Sequence, residues 1–184
     1  MSQGAQERAA LQPKEVLCEG DYLRMVRQGT WEYVERKGST GVVGLVPLTD
    51  QNEIVLVEQF RVPCGKRVVE LPAGLVGDHA GEAQESFETA AIRELEEETG
   101  YKASRLTFLM SGPNSSGSSS SRMSIYLAEG LTKVGPGGGD EQEDITVHVV
   151  PLTRIAAWLD ERRNAGFLLD PKIYAGLWFT EHRP

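Results

Sequence analysis

The sequence predicts an α/β domain preceded by a small N-terminal β region, and three observations support this. Short runs of apolar and β-branched residues recur between turn residues along most of the chain, which is typical of strands. One segment, at about 86–99, instead carries apolar residues at the four-residue spacing of a helix. Two shorter helical patterns follow near the C-terminus. Strands interleaved with helices indicate an α/β fold class.

Composition narrows the class of protein further. The 184 residues carry a net charge of −8 and contain 40% hydrophobic residues, which is enough for a full core. No apolar run approaches the roughly 20 residues of a membrane helix, and the first 14 residues lack the apolar stretch of a secretory signal. The acidic balance argues against nucleic acid as a partner. Two widely separated cysteines suggest neither a disulfide scaffold nor a zinc cluster, so we expect a cytoplasmic protein.

The elements follow in chain order. Residues 1–14 are polar and predict a flexible arm. Alternating residues at 22–37, interrupted by Gln28-Gly29, predict a hairpin. Apolar runs at 42–48 and 54–60 predict two strands joined by a polar turn. Further strands are expected at 68–71, 106–110, 125–128 and 145–150.

The helix at about 86–99 has a predicted buried face and a marked end. Phe87, Ala91 and Leu95 lie on one side of it, and Gly100 is the expected stop. Apolar residues within 155–159 and 174–178 predict the two C-terminal helices. The helix pattern is therefore confined to three segments.

Two segments of low complexity interrupt the pattern, a serine-rich one at 111–121 and a glycine-rich one at 135–139. A linker between domains is one interpretation of the first. Because neither flank contains a complete core, we favour long loops inside one domain, and loops of this length are often functional.

The long helix is also the most acidic part of the chain. Glu94, Glu97 and Glu98 are three or four residues apart, so their carboxylates lie on one side of the helix. Arg93 is placed to pair with Glu97. Carboxylates that converge without a cysteine or histidine suit hard cations such as Mg²⁺ or Mn²⁺. A solvated acidic face is the alternative interpretation.

Residues 85–101 resemble the Nudix box, G-x5-E-x7-R-E-U-x-E-E-x-G-U with U apolar. Every position from Glu85 onward fits. The leading glycine corresponds to Gly74, which an insertion within 77–81 moves back along the chain. The resemblance implies an α/β/α sandwich with a mixed sheet. Glu85 alone would equally suit a residue that caps or orients the start of the helix.

A wider resemblance, over about 20–178, is to the ADP-ribose (ADP-sugar) pyrophosphatase branch of that family. It rests on Trp31-Glu32 with Arg36, on 57–61, and on 70–75. The resemblance implies metal ligands at the Ala73 carbonyl, Glu94, Glu98 and Glu143, and catalytic roles for Glu97, Glu141 and Glu143. It implies substrate contacts at Tyr22, Trp31, Glu32, Arg36, Arg61 and Glu70. Where relatives often have an acidic residue in a covering loop, this chain has the serine-rich segment and Arg122.

The implied activity is Mg²⁺-dependent hydrolysis of ADP-ribose to AMP and ribose 5-phosphate, with Mn²⁺ as a substitute. Tyr22 and Trp31 would sandwich the base, although Trp31 alone could be an ordinary strand aromatic. Residues 1–40 would form an arm and a β region that builds a domain-swapped homodimer, and 41–184 would form the catalytic domain. Other substrates stay open, namely GDP-mannose, UDP-glucose or a dinucleoside polyphosphate. A non-catalytic nucleotide sensor is a further alternative.

Glu141 and Glu143 are both candidates for the general base. Glu143 lies nearer the strand that begins at about 145, so it is the better-held ligand, and we expect Glu141 to take the proton. The glycine-rich segment at 135–139 is expected to close over the substrate as a lid.

Overall fold

A computed structural model describes residues 4–78, 84–139 and 143–182. The helices are α1 Ala5–Ala10, α2 Phe87–Thr99, α3 Ile155–Asn164 and α4 Lys172–Glu181. The strands are β1 Lys14–Glu19, β2 Leu23–Gln28, β3 Trp31–Arg36, β4 Gly41–Pro47, β5 Glu53–Arg61, β6 Lys66–Glu70, β7 Ala73–Val76, β8 Tyr101–Pro113, β9 Arg122–Lys133, β10 Thr146–Pro151 and β11 Leu168–Leu169. Among the described residues, no helix has both the length and the apolar character needed to cross a bilayer.

The strands form three sheets. An antiparallel sheet of order β1-β2-β3 is built from the N-terminal residues. The second sheet, β7-β4-β9-β8, is mixed because β4 and β9 run parallel. The third, β10-β5-β6-β11, is also mixed because β11 runs parallel to β6. The α/β class with mixed sheets and a separate N-terminal β region is therefore confirmed.

Two apolar clusters hold the layers together. On one face of β4, Val43 and Leu45 pack with Ala91 and Leu95 of α2. The other face contributes Val46 to a larger cluster that also includes residues of β5, β9, α3 and α4. Successive side chains of a strand point to opposite faces, so a strand covered on both faces reads as a nearly continuous apolar run. This explains why residues 42–48 show no alternation.

Helix α2 begins and ends where the sequence predicts. The Ser86 hydroxyl accepts a hydrogen bond from the Thr89 N–H at 3.1 Å, which caps the first turn. Gly100 has φ of 70° and donates its N–H to the Glu96 carbonyl, which ends the helix in the left-handed conformation that glycine adopts at low cost.

The N-terminal arm is more ordered than we expected. Residues 5–10 form α1 and strand β1 begins at Lys14, whereas the polar composition of residues 1–14 predicts a flexible arm. The Gln28 amide donates to the carbonyls of Ala10 and Gln12 at 2.8 and 2.9 Å, which holds the arm against the hairpin turn. These contacts come from distant residues, so local composition carries no sign of them.

The serine-rich segment is the tip of a long hairpin and not a linker. Strands β8 and β9 pair as far as Pro113 and Arg122, so the strands extend well beyond the predicted 106–110 and 125–128. The tip then docks on β3, where the Val34 N–H donates to the Ser118 carbonyl and the Ser120 N–H donates to the Val34 carbonyl. The preference for a long loop inside one domain is confirmed.

Candidate active site

Helix α2 directs two glutamates into the protein next to strand β7. Glu94 and Glu98 are 9% and 3% exposed, and the Glu98 carboxylate accepts a hydrogen bond from the Ala73 N–H at 3.0 Å. Burial raises the pKa of Glu94 to about 7, although the neighbouring Arg93 opposes the shift. Burial likewise raises the pKa of Glu98 well above its usual range, and the Ala73 N–H lowers it in part. Two buried carboxylates of this kind favour a cation between them.

Gly74 is the residue that lets the Glu94 carboxylate approach the backbone of β7. A Cβ at this position would lie 1.8 Å from the Glu94 carboxyl carbon and about 2 Å from its oxygens. No side chain fits there unless Glu94 moves. The glycine that the sequence motif identifies therefore has a steric role at the carboxylate cluster.

Arg93 connects the helix to the turn that follows β7. Its guanidinium donates to Glu85, Glu94 and Glu97 at 2.8 to 3.2 Å, and to the Leu75 carbonyl at 3.0 Å. Glu85 in turn accepts from the Gly77 N–H at 3.0 Å. The expected Arg93–Glu97 pair is present. Glu85 precedes the helix and also holds the turn after β7 through its hydrogen bond from the Gly77 N–H.

The glycine-rich segment is attached to the C-terminal end of α2. The N–H groups of Gly138 and Gly139 donate to the carbonyls of Glu98 and Glu97 at 2.9 and 3.0 Å. A Cβ on Gly137 would lie 2.4 Å from the Thr99 carbonyl carbon. The glycines therefore permit close backbone contact, which a lid that swings over the substrate would have to break. The expected lid role of 135–139 is not supported by this geometry.

This attached segment leads directly to Glu143. The Glu143 side chain packs on Gly139, where an added Cβ would lie 2.4 Å from a Glu143 carboxylate oxygen. The negative charge of Glu143 contributes to the raised pKa of Glu98, which indicates that the two carboxylates are close. Glu141, the other candidate base, lies outside the described residues.

A cavity of about 470 Å³ brings most of the expected site residues together. Ala73, Glu94, Glu97 and Glu143 line its acidic side. Its other wall carries Arg36, Arg61 and Glu70, and the Arg61 Nε donates to Glu70 at 2.6 Å. Burial raises the pKa of Glu70, and the positive charge of Arg61 opposes this.

The remaining expected substrate contacts lie elsewhere in this chain. Trp31 lines a separate cavity of about 440 Å³, between α1 and the serine-rich tip. Tyr22 is 74% exposed. Glu32 forms an ion pair with Arg27 at 2.8 Å on the surface of the N-terminal sheet. Within this protomer, none of the three lines the cavity that holds the carboxylates.

Five further residues of the cavity lie outside the sequence motif. Val42, Asp78, Asn114, Met123 and Lys172 line it from β4, the inserted turn, the two ends of the hairpin tip and the start of α4. Lys172 is held by Asp170 at 2.5 Å. These residues reach the site through chain folding over long sequence distances, and residue type alone does not single them out.

The carboxylates of the cavity and the Ala73 carbonyl are oxygen donors, which fits a hard divalent cation. Among the described residues, no group of three histidine, cysteine or acidic side chains already surrounds a common point. The contacts explain this, because Arg93 holds Glu94 and Glu97 while the Ala73 N–H holds Glu98. The buried carboxylates, closely packed against Gly74, still provide the negative charge that a cation would balance.

Comparison with known proteins shows which family this chain resembles. The model of the NUDIX domain matches residues 38–170. The methanol dehydrogenase activator of Bacillus methanolicus is 36% identical over 124 residues, 67% of this chain and 64% of that protein. The ADP-ribose pyrophosphatase of Mycobacterium tuberculosis is 38% identical over 139 residues, 74% of this chain and 64% of that protein. The matches thus span slightly less than two thirds of these relatives.

A solved structure supports the fold over nearly the whole chain. The crystal structure of an ADP compounds hydrolase superposes with a TM-score of 0.69 and 23% sequence identity, covering 92% of this chain and 90% of that chain. At that identity the similarity concerns the fold. Because the family model spans most of the sequence and includes the carboxylate-bearing helix, the chain belongs to the NUDIX domain family.

Proposed function

We propose that the chain hydrolyses the diphosphate bond of a nucleoside diphosphate sugar, with ADP-ribose as the substrate and AMP and ribose 5-phosphate as products. The supporting observation is the single cavity that combines Glu94, Glu97 and Glu143 with the guanidinium groups of Arg36 and Arg61. Carboxylates can hold cations, and arginines match the oxygens of a diphosphate. The ADP-ribose pyrophosphatase among the relatives agrees with this substrate class.

In this proposal the cation is Mg²⁺, with Mn²⁺ as a substitute, and its ligands are the Ala73 carbonyl, Glu94, Glu98 and Glu143. When bound, the cation would neutralise the diphosphate and lower the pKa of a coordinated water. Arg93 holds Glu94 and Glu97 from the side of the helix, so these carboxylates would turn from Arg93 towards the cation when it binds. Gly74 leaves the space that Glu94 occupies.

The chain itself would bind the substrate and accept the proton. Arg36 and Arg61 would hold the diphosphate. Glu70 fixes the orientation of the Arg61 guanidinium. Glu141 would accept the proton of the attacking water, with Glu143 as the metal ligand beside it. Glu97 is the other acidic residue with a proposed catalytic role. Its side chain is half-exposed and is held by Arg93.

The base would stack between Tyr22 and Trp31, with Glu32 nearby, in a homodimer built by residues 1–40. The N-terminal sheet leaves large apolar side chains uncovered in this protomer, among them Val16, Tyr22, Leu23 and Trp31. A partner protomer that covers these side chains would also bring aromatic side chains to the carboxylate cavity. This protomer's own Tyr22 and Trp31 do not line that cavity. The catalytic domain, 41–184, would supply the carboxylates.

We also propose that the protein is cytoplasmic. Cys18 and Cys64 are both free and exposed, a state that persists in a reducing compartment.

The substrate is tested with a panel of nucleotides and Mg²⁺, with release of mononucleotide as the measurement. The panel contains ADP-ribose, GDP-mannose, UDP-glucose and a diadenosine polyphosphate. We expect ADP-ribose to give the highest kcat/KM. Faster cleavage of another member would replace the proposed substrate, and binding without cleavage of any would favour a nucleotide sensor.

A further inference from the structure

Among the described residues, Arg36 and Arg122 near the catalytic cavity have no carboxylate partner, unlike the other arginines of that cavity. Arg61 and Arg93 are paired with carboxylates inside the cavity. The guanidinium groups of Arg36 and Arg122, by contrast, form no ion pair or hydrogen bond with any residue that the structure describes. The chain has a net charge of −8, yet among its described residues these two arginines have no carboxylate partner although they lie next to an acidic site.

Both arginines line the same small cavity. It has a volume of about 200 Å³, and none of the described residues that line it is acidic. The remaining walls are formed by hydroxyl-bearing and small residues, Ser39, Thr40, Gly41, Val42, Ser120 and Ser121. Arg36 and Val42 also line the catalytic cavity, so the two spaces share a wall.

The walls belong to paired strands. Arg122 begins β9 and is opposite Pro113 of β8, while Val42 of β4 is opposite Met123. The serine-rich tip is held against β3 by two backbone hydrogen bonds at Val34. The side facing α2 is also closely packed, because a Cβ on Gly41 would lie 2.7 Å from the Phe87 ring. The two guanidinium groups are therefore presented by elements whose positions are fixed.

The chemistry of this cavity suits one kind of ligand. Two guanidinium groups repel each other unless an anion lies between them, and a tetrahedral phosphate accepts several of their N–H donors at once. Serine and threonine hydroxyls provide additional donors to the same oxygens. A neutral sugar would leave both positive charges unpaired.

We propose that this cavity binds a phosphate monoester that the substrate carries in addition to its scissile diphosphate. The inference rests on the proposed function and narrows its substrate class from a nucleoside diphosphate sugar to a phosphorylated one. Arg122 is the specificity-determining residue, because Arg36 also faces the diphosphate. The extra phosphate can be carried by the nucleoside ribose or by the terminal sugar, and the same cavity chemistry recognises either.

The test is binding to the metal-free protein, measured by calorimetry. The ligands are ADP-ribose, its 2′-phosphate on the adenosine side and its 1″-phosphate on the terminal ribose. Wild type is compared with Arg122→Gln and with Arg154→Gln, a control at an exposed ion pair with Glu161 on the far helix. We expect one phosphorylated ligand to bind about tenfold more tightly than ADP-ribose, consistent with hydrogen bonds to a charged group. Arg122→Gln should abolish that ratio, and Arg154→Gln should keep it.

The two phosphorylated ligands show which end of the substrate reaches the cavity. Equal affinity for all three ligands, or a ratio that Arg122→Gln leaves unchanged, overturns the inference. Hydrolysis is measured separately on the same proteins with Mg²⁺ added. A protein that prefers the phosphorylated ligand but cleaves the diphosphate of none of the three, with neither AMP nor adenosine 2′,5′-bisphosphate released, contradicts the proposed function and keeps the phosphate cavity. Active hydrolysis without the preference does the reverse.

Discussion

At the scale of single residues, Arg93 holds the carboxylates of the cluster in place. One guanidinium contacts Glu85, Glu94 and Glu97 and the Leu75 carbonyl, so the helix and the turn after β7 share one cation. The spacing of four residues predicts the Glu97 contact, whereas Glu94 is a sequence neighbour and Glu85 and Leu75 lie outside the helix. The remaining negative charge of Glu94 and Glu98 is buried and is available to a metal ion.

The first prediction concerns Gly74. A methyl group there would collide with the Glu94 carboxylate, so Gly74→Ala should displace Glu94, a proposed metal ligand. We expect kcat/KM to fall by about 10- to 100-fold and the Mg²⁺ requirement to rise. Gly20→Ala is the matched control, since its added Cβ would meet only an ordinary contact at 3.7 Å. Steady-state rates across a Mg²⁺ titration measure both effects, and a Gly74→Ala enzyme with wild-type rates contradicts the assigned position of Glu94.

The second prediction separates the two acidic residues of the loop. Glu141→Gln should lower kcat with the Mg²⁺ requirement unchanged, because it removes a proton acceptor. Glu143→Gln should raise the Mg²⁺ requirement, because Glu143 is the proposed metal ligand and its side chain packs on Gly139 near the buried Glu98. The measurement is kcat against Mg²⁺ concentration for both variants. Full activity of both at every Mg²⁺ concentration would mean that the base is another residue.

At the scale of elements, the loop that carries these acidic residues is anchored at both ends. Gly138 and Gly139 bind the end of α2, and on the other side Arg67 donates to Asp144 at 2.9 Å. Arg67 is itself held by the buried Glu58 at 2.6 Å. The loop is therefore positioned by β6 as well as by α2, and Asp144 is a positioning residue next to Glu143.

The third prediction removes this anchor. Asp144→Ala should lower kcat by about three- to tenfold, since a small misplacement of the adjacent Glu143 weakens catalysis while substrate contacts at Arg36 and Arg61 remain. Asp144 is exposed, so the melting temperature should change little. Asp160→Ala, which breaks a comparable surface pair with Arg163, is the control. A lowered melting temperature with unchanged kcat would indicate a purely structural pair.

Elements differ in how well the sequence predicts them. Helix α2 is marked locally by its Ser86 cap, its apolar face and Gly100, and its bounds agree with the structure. The sequence pattern does not indicate strands β1 and β7. Strand β1 pairs with the next strand, β2, but is almost entirely exposed, and β7 follows Pro72 and pairs with β4 about 30 residues earlier. The geometry does not support the expected lid role of 135–139, since glycine permits close packing as readily as movement and only the neighbouring backbone distinguishes the two.

At the scale of the whole molecule, the sheets form an acidic cavity at one end of α2 and a separate aromatic cavity at the N-terminal sheet. Residue chemistry predicts the acidic cavity, because its proposed metal ligands lie in one sequence motif and in a few neighbouring strands. It does not predict that Trp31 and Tyr22 lie away from that cavity in this protomer. Whether these aromatic side chains reach a carboxylate cavity depends on how protomers assemble, which local sequence patterns do not show. The base site therefore stays a proposal.

The fourth prediction tests that base site. If Trp31 stacks on the base in a dimer, Trp31→Ala should raise KM by on the order of tenfold with a smaller change in kcat, because stacking is present before and during the reaction. Trp178→Ala is the control, since this exposed tryptophan of α4 stacks on His182. Kinetics should be paired with the oligomeric state by light scattering. A fall in kcat at constant KM would instead indicate a structural role for Trp31.

The central claim, that buried carboxylates of α2 drive metal-dependent hydrolysis, is tested most directly by AMP release from ADP-ribose during a Mg²⁺ titration. The comparison is between wild type, Glu98→Gln and Glu96→Gln, the last being the same change on the same helix at a surface pair with Lys102. We predict that Glu98→Gln loses more than about 100-fold in kcat/KM with an unchanged fold by circular dichroism, while Glu96→Gln stays near wild type. Near-wild-type turnover by Glu98→Gln at limiting Mg²⁺ would contradict the claim.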